Sequence, residues 1–228
     1  MSEQSHRYAC PRGLRDSASW YLDADPLEQV DHALVDWVMA HAGRELLDLG
    51  CGLGGYAKVL GERGLSVRGL DVVSAYVERA QQLGVDAQLY DGGRVPAVDD
   101  SVDTVILLEV LEHLDDPAAL LAEARRVARR NVLVSVPDCT QEFRGVPVEF
   151  SHMLDVDHRQ WFTVESLERL LRDVCGDANV QQTAAVDDLL AGLILPRPLR
   201  PAYRALRRAG LARPRFYSRL LGRATLSA

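Results

Sequence analysis

Glycine and acidic residues are concentrated at the end of an apolar run near the start of the chain. Residues 46–56 read L-L-D-L-G-C-G-L-G-G-Y, so that Asp48 precedes three glycines at alternating positions, Gly50, Gly52 and Gly54. Glycine lacks a Cβ and tolerates positive φ, so a turn of this composition lets the backbone approach a ligand closely. Apolar residues at helical spacing follow, and the turn therefore predicts the place of a nucleotide-like cofactor between a strand and a helix.

Further acids follow the next apolar runs. Asp71 lies 21 residues after Gly50, where a carboxylate at a strand end can accept both hydroxyls of an adenosine ribose. Asp91 closes a third run, and residues 103–112 read D-T-V-I-L-L-E-V-L-E, which predicts a buried parallel strand. Because the carboxyl ends of parallel strands meet at one edge of a sheet, we expect these acids to share that edge.

Alternating strands and helices must position these residues. Apolar residues recur at helical spacing from Val30 to Val38, and Asp25-Pro26 predicts the start of that leading helix. The remaining pattern predicts strands at about 45–50, 66–72, 86–91, 102–109, 131–136 and 179–186, helices at about 54–63, 74–83, 117–129 and 163–173, and a last antiparallel strand at 216–226. Such alternation is typical of a parallel sheet with right-handed crossovers.

Together these motifs resemble those of class I S-adenosylmethionine-dependent methyltransferases over roughly residues 40–175. The glycine turn is residues 48–54, the adenine-side D-G is Asp91-Gly92, and the E-V-L-E-H after the fourth strand is residues 109–113. The resemblance implies an α/β, Rossmann-like three-layer sandwich whose seven-stranded sheet is mostly parallel, with an antiparallel last strand. It also implies S-adenosyl-L-methionine as the cofactor, bound by Asp48, Gly50, Gly52, Gly54, Asp71, Val72, Asp91, Gly92 and Glu109.

Length and composition predict a single α/β domain, and the resemblance then implies that residues 1–228 are one methyltransferase domain. The chain has 228 residues, of which 47% are hydrophobic, and this is enough for one full core. Residues from 1 to about 40 are predicted to form an N-terminal cap on this domain. The polar start and the lack of a long apolar run favour a cytoplasmic protein. The four cysteines are scattered and predict neither a disulfide framework nor a cysteine zinc site.

The charge is unevenly distributed along the chain. Residues 189–228 carry nine arginines and no acid, so the net charge of −7 for the whole chain leaves −16 on residues 1–188. The apolar and basic stretch at about 189–215 is predicted to be a lid or arm. Its part 189–211 fits an acceptor-covering lid, a peripheral membrane helix, an RNA-contacting arm or an ordinary solvated helix. The acidic body argues against broad nucleic-acid binding.

The side of the site that faces the acceptor is predicted from two glutamates and three histidines. Glu109, Glu112 and His113 have i, i+3, i+4 spacing, so a helical turn after the strand would point all three toward the transferred methyl. His152 and His158 lie on a later connection. The sulfonium is an activated donor, so the protein mainly aligns the acceptor and removes a proton, for which His113 is the first candidate and His158 and His152 are the reserves. Each could also be an ordinary surface histidine.

A weaker resemblance concerns a metal. The E-x-x-E-H motif and a later D-H-x-x-x-F-T resemble the site of small-RNA terminal 2′-O-methyltransferases, in which a divalent ion binds vicinal ribose hydroxyls. Mapped onto this chain, the ligands are Glu109, Glu112, His113 and His158. The chain departs from that pattern at Asp138, where an asparagine is expected, and the alternative is a site without metal in which the glutamates line the cofactor or are structural.

The sequence thus predicts an S-adenosylmethionine-dependent methyltransferase of a small or medium-sized acceptor, methylated at oxygen or nitrogen. One alternative is a metal-dependent RNA ribose 2′-O-methyltransferase, and another is a non-catalytic partner protein that binds the cofactor. The acceptor, the regiochemistry and the oligomeric state stay open.

Overall fold

The computed structural model describes residue 22 and residues 24–139, 158–185, 195–209, 211 and 217–226. His152 lies outside the described residues, as do most of the predicted cap before residue 24 and parts of the predicted lid or arm. Within the described ranges no helix is both long enough and apolar enough to cross a membrane.

Helices and strands alternate through most of the chain. The helices are α1 (His32–His41), α2 (Gly55–Glu62), α3 (Ser74–Gln82), α4 (Pro117–Val127), α5 (Val164–Cys175) and α6 (Arg200–Arg208). The strands are β1 (Glu45–Leu49), β2 (Ser66–Asp71), β3 (Asp86–Leu89), β4 (Val102–Leu108), β5 (Ala128–Pro137), β6 (Asp177–Ala185) and β7 (Tyr217–Thr225).

The strands form one seven-stranded sheet in the order β3-β2-β1-β4-β5-β7-β6. The pairs among β1 to β5 are parallel, and β7 is antiparallel to both of its neighbours, β5 and β6. The predicted fold class, a mostly parallel Rossmann-like sheet with an antiparallel last strand, is confirmed. The register places Arg219 of β7 opposite Pro137, at the carboxyl end of β5.

Both faces of the sheet are buried, which explains the continuous apolar strands. In β4, Val105 and Leu107 pack on one side with α4 and α5, whereas Ile106 and Leu108 pack on the other side with α1 and α2. The alternation of side chains along a strand assigns neighbouring residues to opposite faces. Three layers result, and the polar residues of the predicted site are left at the carboxyl edge of the sheet.

The leading helix begins later than predicted. Asp25 accepts a hydrogen bond from the Leu27 amide at 2.9 Å and stabilises a turn, so Asp25-Pro26 starts no long helix. The helix is capped instead by Asp31, whose Oδ1 accepts hydrogen bonds from the Ala33 and Leu34 amides at 2.9 and 3.4 Å. Asp31, and not Asp25, therefore accepts hydrogen bonds from the free amides at the start of the helix.

Candidate cofactor and acceptor site

The glycine turn joins β1 to α2 and is tied to the end of β2. Gly50 and Gly54 have φ of +88° and +82°, a region that side chains rarely adopt. The Gly50 amide donates to the Leu70 carbonyl at 2.7 Å, and a Cβ added at Gly50 would lie 2.6 Å from Cγ2 of Val110. The segment after β4 therefore lies directly against the glycine turn.

Asp71 holds the other side of this turn. Its Oδ2 accepts a hydrogen bond from the Gly52 amide at 2.8 Å, and its Oδ1 accepts one from the Val73 amide at 3.0 Å. The carboxylate is buried and sits between β2 and the glycine turn. A carboxylate in this place is suited to ribose hydroxyls, because its remaining lone pairs can accept further hydrogen bonds.

Asp48 lies beneath the turn with 2% of its surface exposed. Burial, together with the charge of Asp71, raises the pKa of Asp48 to about 7, far above its ordinary value of 3.8. Burial also raises the pKa of the Cys51 thiol, and Cys51 lies so close to Gly69 that a Cβ there would be 2.7 Å from its Sγ. Cys51 therefore fills space in the turn.

The predicted adenine side lies at the next strand. Gly92 has φ of +82°, and a Cβ added there would lie 3.3 Å from Cγ1 of Val72, which is exposed. Asp91 follows β3, which ends at Leu89 and is shorter than predicted, and its Oδ1 accepts a hydrogen bond from the Gly93 amide at 3.0 Å. Val72, Asp91 and Gly92 thus form one exposed edge beside Asp71.

Glu109 directly follows β4 and joins a polar cluster. Its φ is +55°, an uncommon value for a residue with a side chain. Its Oε1 accepts hydrogen bonds from the Ser135 hydroxyl at 2.6 Å and from Nε of Arg219 at 3.1 Å. Arg219 also pairs through Nη1 with Asp31, whose amide donates to the Tyr56 hydroxyl at 3.2 Å. We call Asp31, Tyr56, Glu109, Ser135 and Arg219 the arginine cluster.

The expectation that Glu109, Glu112 and His113 point the same way is wrong for Glu109. A turn of 3₁₀-helix covers only Leu111–His113, and the left-handed backbone at Glu109 changes the direction of the chain before it begins. Helical spacing therefore does not hold across Glu109, and its carboxylate is engaged by Ser135 and Arg219. Of the four proposed metal ligands, Glu109 is the one placed elsewhere.

The other three candidates come together. Glu112, His113 and His158 place one potential ligand atom each within 4.8 Å of one another. The rings of His113 and His158 meet edge to face with centroids 4.8 Å apart, and Glu112 is only 1% exposed. We call these residues the histidine pair with its buried glutamate.

Backbone contacts explain why His158 reaches His113. The Glu112 carbonyl accepts hydrogen bonds from the amides of Arg159 and Gln160 at 2.7 and 3.0 Å. The Gln160 side chain donates to the Leu114 carbonyl at 3.2 Å, so the segment after His158 lies along the turn after β4. The proposed acceptor side is thereby fixed to the same sheet edge as the glycine turn.

Reasoning from sequence missed the arginine cluster. Asp31 could have been found as a helix N-cap, because aspartate before an apolar helical pattern is a common start signal. Arg219 carries no such signal, since it is one of nine arginines after residue 188 and only the antiparallel register of β7 brings it to Glu109. Ser135 lies within an apolar strand and gives no local signal either.

Comparison with known proteins shows a similarity to methyltransferases. Residues 47–136 match the family described as a methyltransferase domain. The matched stretch holds the glycine turn, Asp71 and the E-V-L-E-H motif, and the chain has the Rossmann-like fold of class I S-adenosylmethionine-dependent methyltransferases. The predicted cofactor, S-adenosyl-L-methionine, is that of this class.

Similar proteins span several acceptors. The ubiquinone biosynthesis O-methyltransferase of Pseudomonas entomophila is 30% identical over 114 residues, which are 46% of this chain and 49% of that protein. A methyltransferase from Archaeoglobus fulgidus has a TM-score of 0.63 at 16% identity over 92% of this chain and 100% of its own. Geranyl diphosphate C-methyltransferase from Streptomyces coelicolor, solved with Mg²⁺, geranyl diphosphate and S-adenosyl-L-homocysteine, has a TM-score of 0.61 at 17% identity, covering 88% and 81%.

The structural and the sequence similarities cover different shares of the chain. The solved structures resemble this chain over nearly its whole length and show the fold. The matched part of this chain spans about half the length of the curated relatives, or less, with values from 35% to 55%.

Proposed function

We propose that this chain transfers the methyl group of S-adenosylmethionine to a small or medium-sized acceptor, at oxygen or nitrogen. The observation that carries this proposal is the position of the histidine pair with its buried glutamate. Val110 packs against Gly50 of the cofactor turn, and the His113 amide donates to the Val110 carbonyl at 3.1 Å. A proton acceptor therefore lies on the segment that covers the cofactor turn.

The geometry supports His113 as the base. Methyl transfer from a sulfonium needs an acceptor held in line with the methyl and, for a hydroxyl or ammonium acceptor, removal of one proton. Imidazole titrates near neutral pH and is suited to that step. The buried carboxylate of Glu112 and the ring of His158 each have a ligand atom within 4.8 Å of one on His113, so we assign both residues a positioning role for its ring.

The curated relative supports oxygen as the acceptor atom, since it is named for O-methylation in ubiquinone biosynthesis. The fold alone carries no such preference, because a structural neighbour is named as a C-methyltransferase. A small-molecule acceptor agrees with both names, and the acidic body agrees with an acceptor that is no polyanion.

The test uses labelled S-adenosylmethionine with a panel of phenols, catechols, carboxylic acids and amines. We expect wild type to methylate part of the panel and His113→Ala to lower kcat by about 10²–10⁴-fold. The affinity for S-adenosylhomocysteine should stay unchanged. His41→Gln is the matched control, because His41 is half-buried in α1 with its ring against Trp37.

Two results would oppose the proposal. An unchanged rate in His113→Ala would remove it as the base. Tight binding of S-adenosylhomocysteine by wild type without methyl transfer to any acceptor would favour the non-catalytic, cofactor-binding alternative.

A second candidate function is metal-dependent transfer to a ribose hydroxyl. The observation in its favour is the donor set of Glu112, His113 and His158, since carboxylate and imidazole ligands suit Mg²⁺, Mn²⁺ or Co²⁺. A divalent ion held there would bind vicinal hydroxyl oxygens and lower the pKa of the attacking one. Glu109 would not be a ligand, because Ser135 and Arg219 hold its carboxylate.

Calorimetric titration separates the two candidates. Mn²⁺ or Co²⁺ is titrated into the S-adenosylhomocysteine-loaded protein, with Glu112→Gln and His158→Ala as variants and Glu165→Gln, an exposed glutamate of α5, as the control. Stoichiometric binding that is lost in the two variants and kept in the control would support the metal and direct the search to RNA ends. A flat titration would leave the histidine base.

A further inference from the structure

The stretch 195–211 stands out chemically from the rest of the chain. It contains five arginines and no acidic residue, whereas the first 188 residues are strongly acidic. Within it, a 3₁₀ turn at Arg197–Leu199 leads directly into α6. The Leu206 carbonyl accepts a hydrogen bond from the Leu211 amide at 2.9 Å, which closes the end of the helix. We call residues 195–209 and 211, which the structure describes, the basic segment.

Large apolar side chains of the basic segment are exposed to solvent. The exposed fractions are 54% for Leu199, 47% for Leu206 and 77% for Leu211. Leu199, Tyr203 and Leu206 recur at i, i+4 and i+7. Tyr203 and Leu206 share one side of α6, and Leu199 is the last residue of the 3₁₀ turn directly before the helix. Arginines 200, 204 and 207 follow the same spacing one position later, and the sequence therefore places a basic stripe beside an apolar one.

We infer that the basic segment docks on the surface of an anionic lipid bilayer. The helix would lie in the plane of the interface, with Leu199, Leu206 and Leu211 at the acyl boundary and arginines at the lipid phosphates. Arginine stems pack along apolar surface while the guanidinium stays at the phosphates, which suits a basic stripe beside leucines. The acidic body is repelled by the same lipids, so among the residues that the structure describes, this segment makes the contact.

The leucines favour lipid over RNA as the partner. An RNA-binding arm gains affinity from arginines on phosphates and from aromatic rings under bases. Three exposed leucines add little to such a contact, but each removes apolar surface from water when it enters a bilayer. Charge alone fits both partners, and the exposed apolar side chains decide between them. This inference is independent of the proposed function, because bilayer binding requires no methyl acceptor.

Vesicle sedimentation of the full chain tests the inference. The vesicles contain phosphatidylcholine alone or phosphatidylcholine mixed with an equal amount of phosphatidylglycerol, at low and at physiological salt. We expect binding only to the mixed vesicles, and weaker binding as salt rises. Leu206→Glu should weaken binding by about tenfold or more, because it replaces buried apolar surface by a charge that the lipids repel. Arg197→Gln should weaken it about fivefold, the effect of one cation near an anionic surface.

Matched controls make the result interpretable. Val98→Glu changes an apolar residue elsewhere that is more exposed than Leu206 or Leu199, and Arg94→Gln removes an exposed arginine outside the segment, so both should bind as wild type does. The variants are exposed, and unchanged thermal unfolding with unchanged S-adenosylhomocysteine affinity confirms their folding. Leu199→Glu provides a second variant on the apolar stripe.

Three outcomes would overturn the inference. They are absence of binding to mixed vesicles at low salt, binding that Leu206→Glu and Leu199→Glu leave intact, and binding of a single-stranded RNA oligonucleotide where vesicles are not bound. Binding to mixed vesicles that both leucine variants lose would establish it.

Discussion

Nε of Arg219 lies 3.1 Å from Oε1 of Glu109, although the two residues are 110 positions apart in the chain. The same guanidinium pairs with Asp31, the N-cap of α1. Burial disfavours its charge, but the carboxylates of Glu109 and Asp31 raise the pKa of Arg219 above its usual value. One side chain from the last strand therefore ties the leading helix to the sheet edge that carries the glycine turn.

Loss of this side chain should destabilise the protein. Arg219→Gln leaves two partly buried carboxylates without their cation, and we expect the free energy of unfolding to fall by about 2–3 kcal/mol. Arg63→Gln is the control, because Arg63 pairs with Asp36 at the exposed surface and should cost at most about 1 kcal/mol. Urea unfolding of the two variants measures both values. Equal losses would show that Arg219 contributes no more to stability than an exposed ion pair does.

A methyl group at Gly50 should disrupt the cofactor turn. Its φ of +88° and the 2.6 Å approach to Val110 leave no room for a Cβ. Gly50→Ala should therefore cost about 1–3 kcal/mol of stability and weaken S-adenosylhomocysteine binding. Gly61→Ala provides the matched change, since Gly61 lies within α2 with open space around it, and should stabilise the helix by about 0.5–1 kcal/mol. Calorimetric binding and thermal unfolding of both variants check the contrast.

The fold was predictable because each signal is local. The apolar run of β4 and the glycines after β1 are contiguous in sequence, and parallel strands then bring Asp48 and Asp71 to one edge without further information. Helix α5 likewise begins with a capping box at Thr163 and Ser166, whose hydroxyls each accept a hydrogen bond from the amide of the other.

The arginine cluster was not predictable because its contacts depend on register and on one unusual dihedral angle. The position of Arg219 follows from how β7 slides against β5, which no local pattern encodes. The turn of Glu109 away from Glu112 follows from a φ of +55° at a residue that normally avoids it. Local periodicity assumes regular backbone, so it fails at such a point.

Substitution of Glu109 should affect the binding of S-adenosylhomocysteine but not that of methylthioadenosine, which lacks the amino-acid part. Glu109 is predicted to bind the cofactor, and it directly precedes Val110, which lies against Gly50 of the glycine turn. We propose that its carboxylate meets the ammonium at the methionine end of the cofactor. We expect Glu109→Gln to weaken S-adenosylhomocysteine binding by about tenfold, since a hydrogen bond to a charged group is worth about 1.5–3 kcal/mol. Binding of methylthioadenosine, which lacks that ammonium, should hardly change.

Asp71→Asn is the matched control for this experiment. Asp71 is expected to bind the ribose that both ligands share, so its loss should weaken both to the same degree. Calorimetry with the two ligands gives the comparison, and equal weakening of both ligands by Glu109→Gln would contradict its assignment to the methionine end.

The stability of the protein should depend on pH through Asp48. Its pKa is about 7 in the folded protein and 3.8 ordinarily, so between these values the folded state holds a proton that the unfolded state releases. Stability contributed by this proton is complete below pH ~4 and is lost as pH rises toward ~7. The Asp48→Asn variant carries no such proton. The free energy of unfolding of Asp48→Asn, relative to that of wild type, should therefore rise between pH ~4 and pH ~7 by on the order of 4 kcal/mol.

Urea unfolding at several pH values measures this difference, with the exposed Asp86→Asn as the control. A difference between Asp48→Asn and wild type that stays constant with pH would show that Asp48 is ionised in the folded protein throughout.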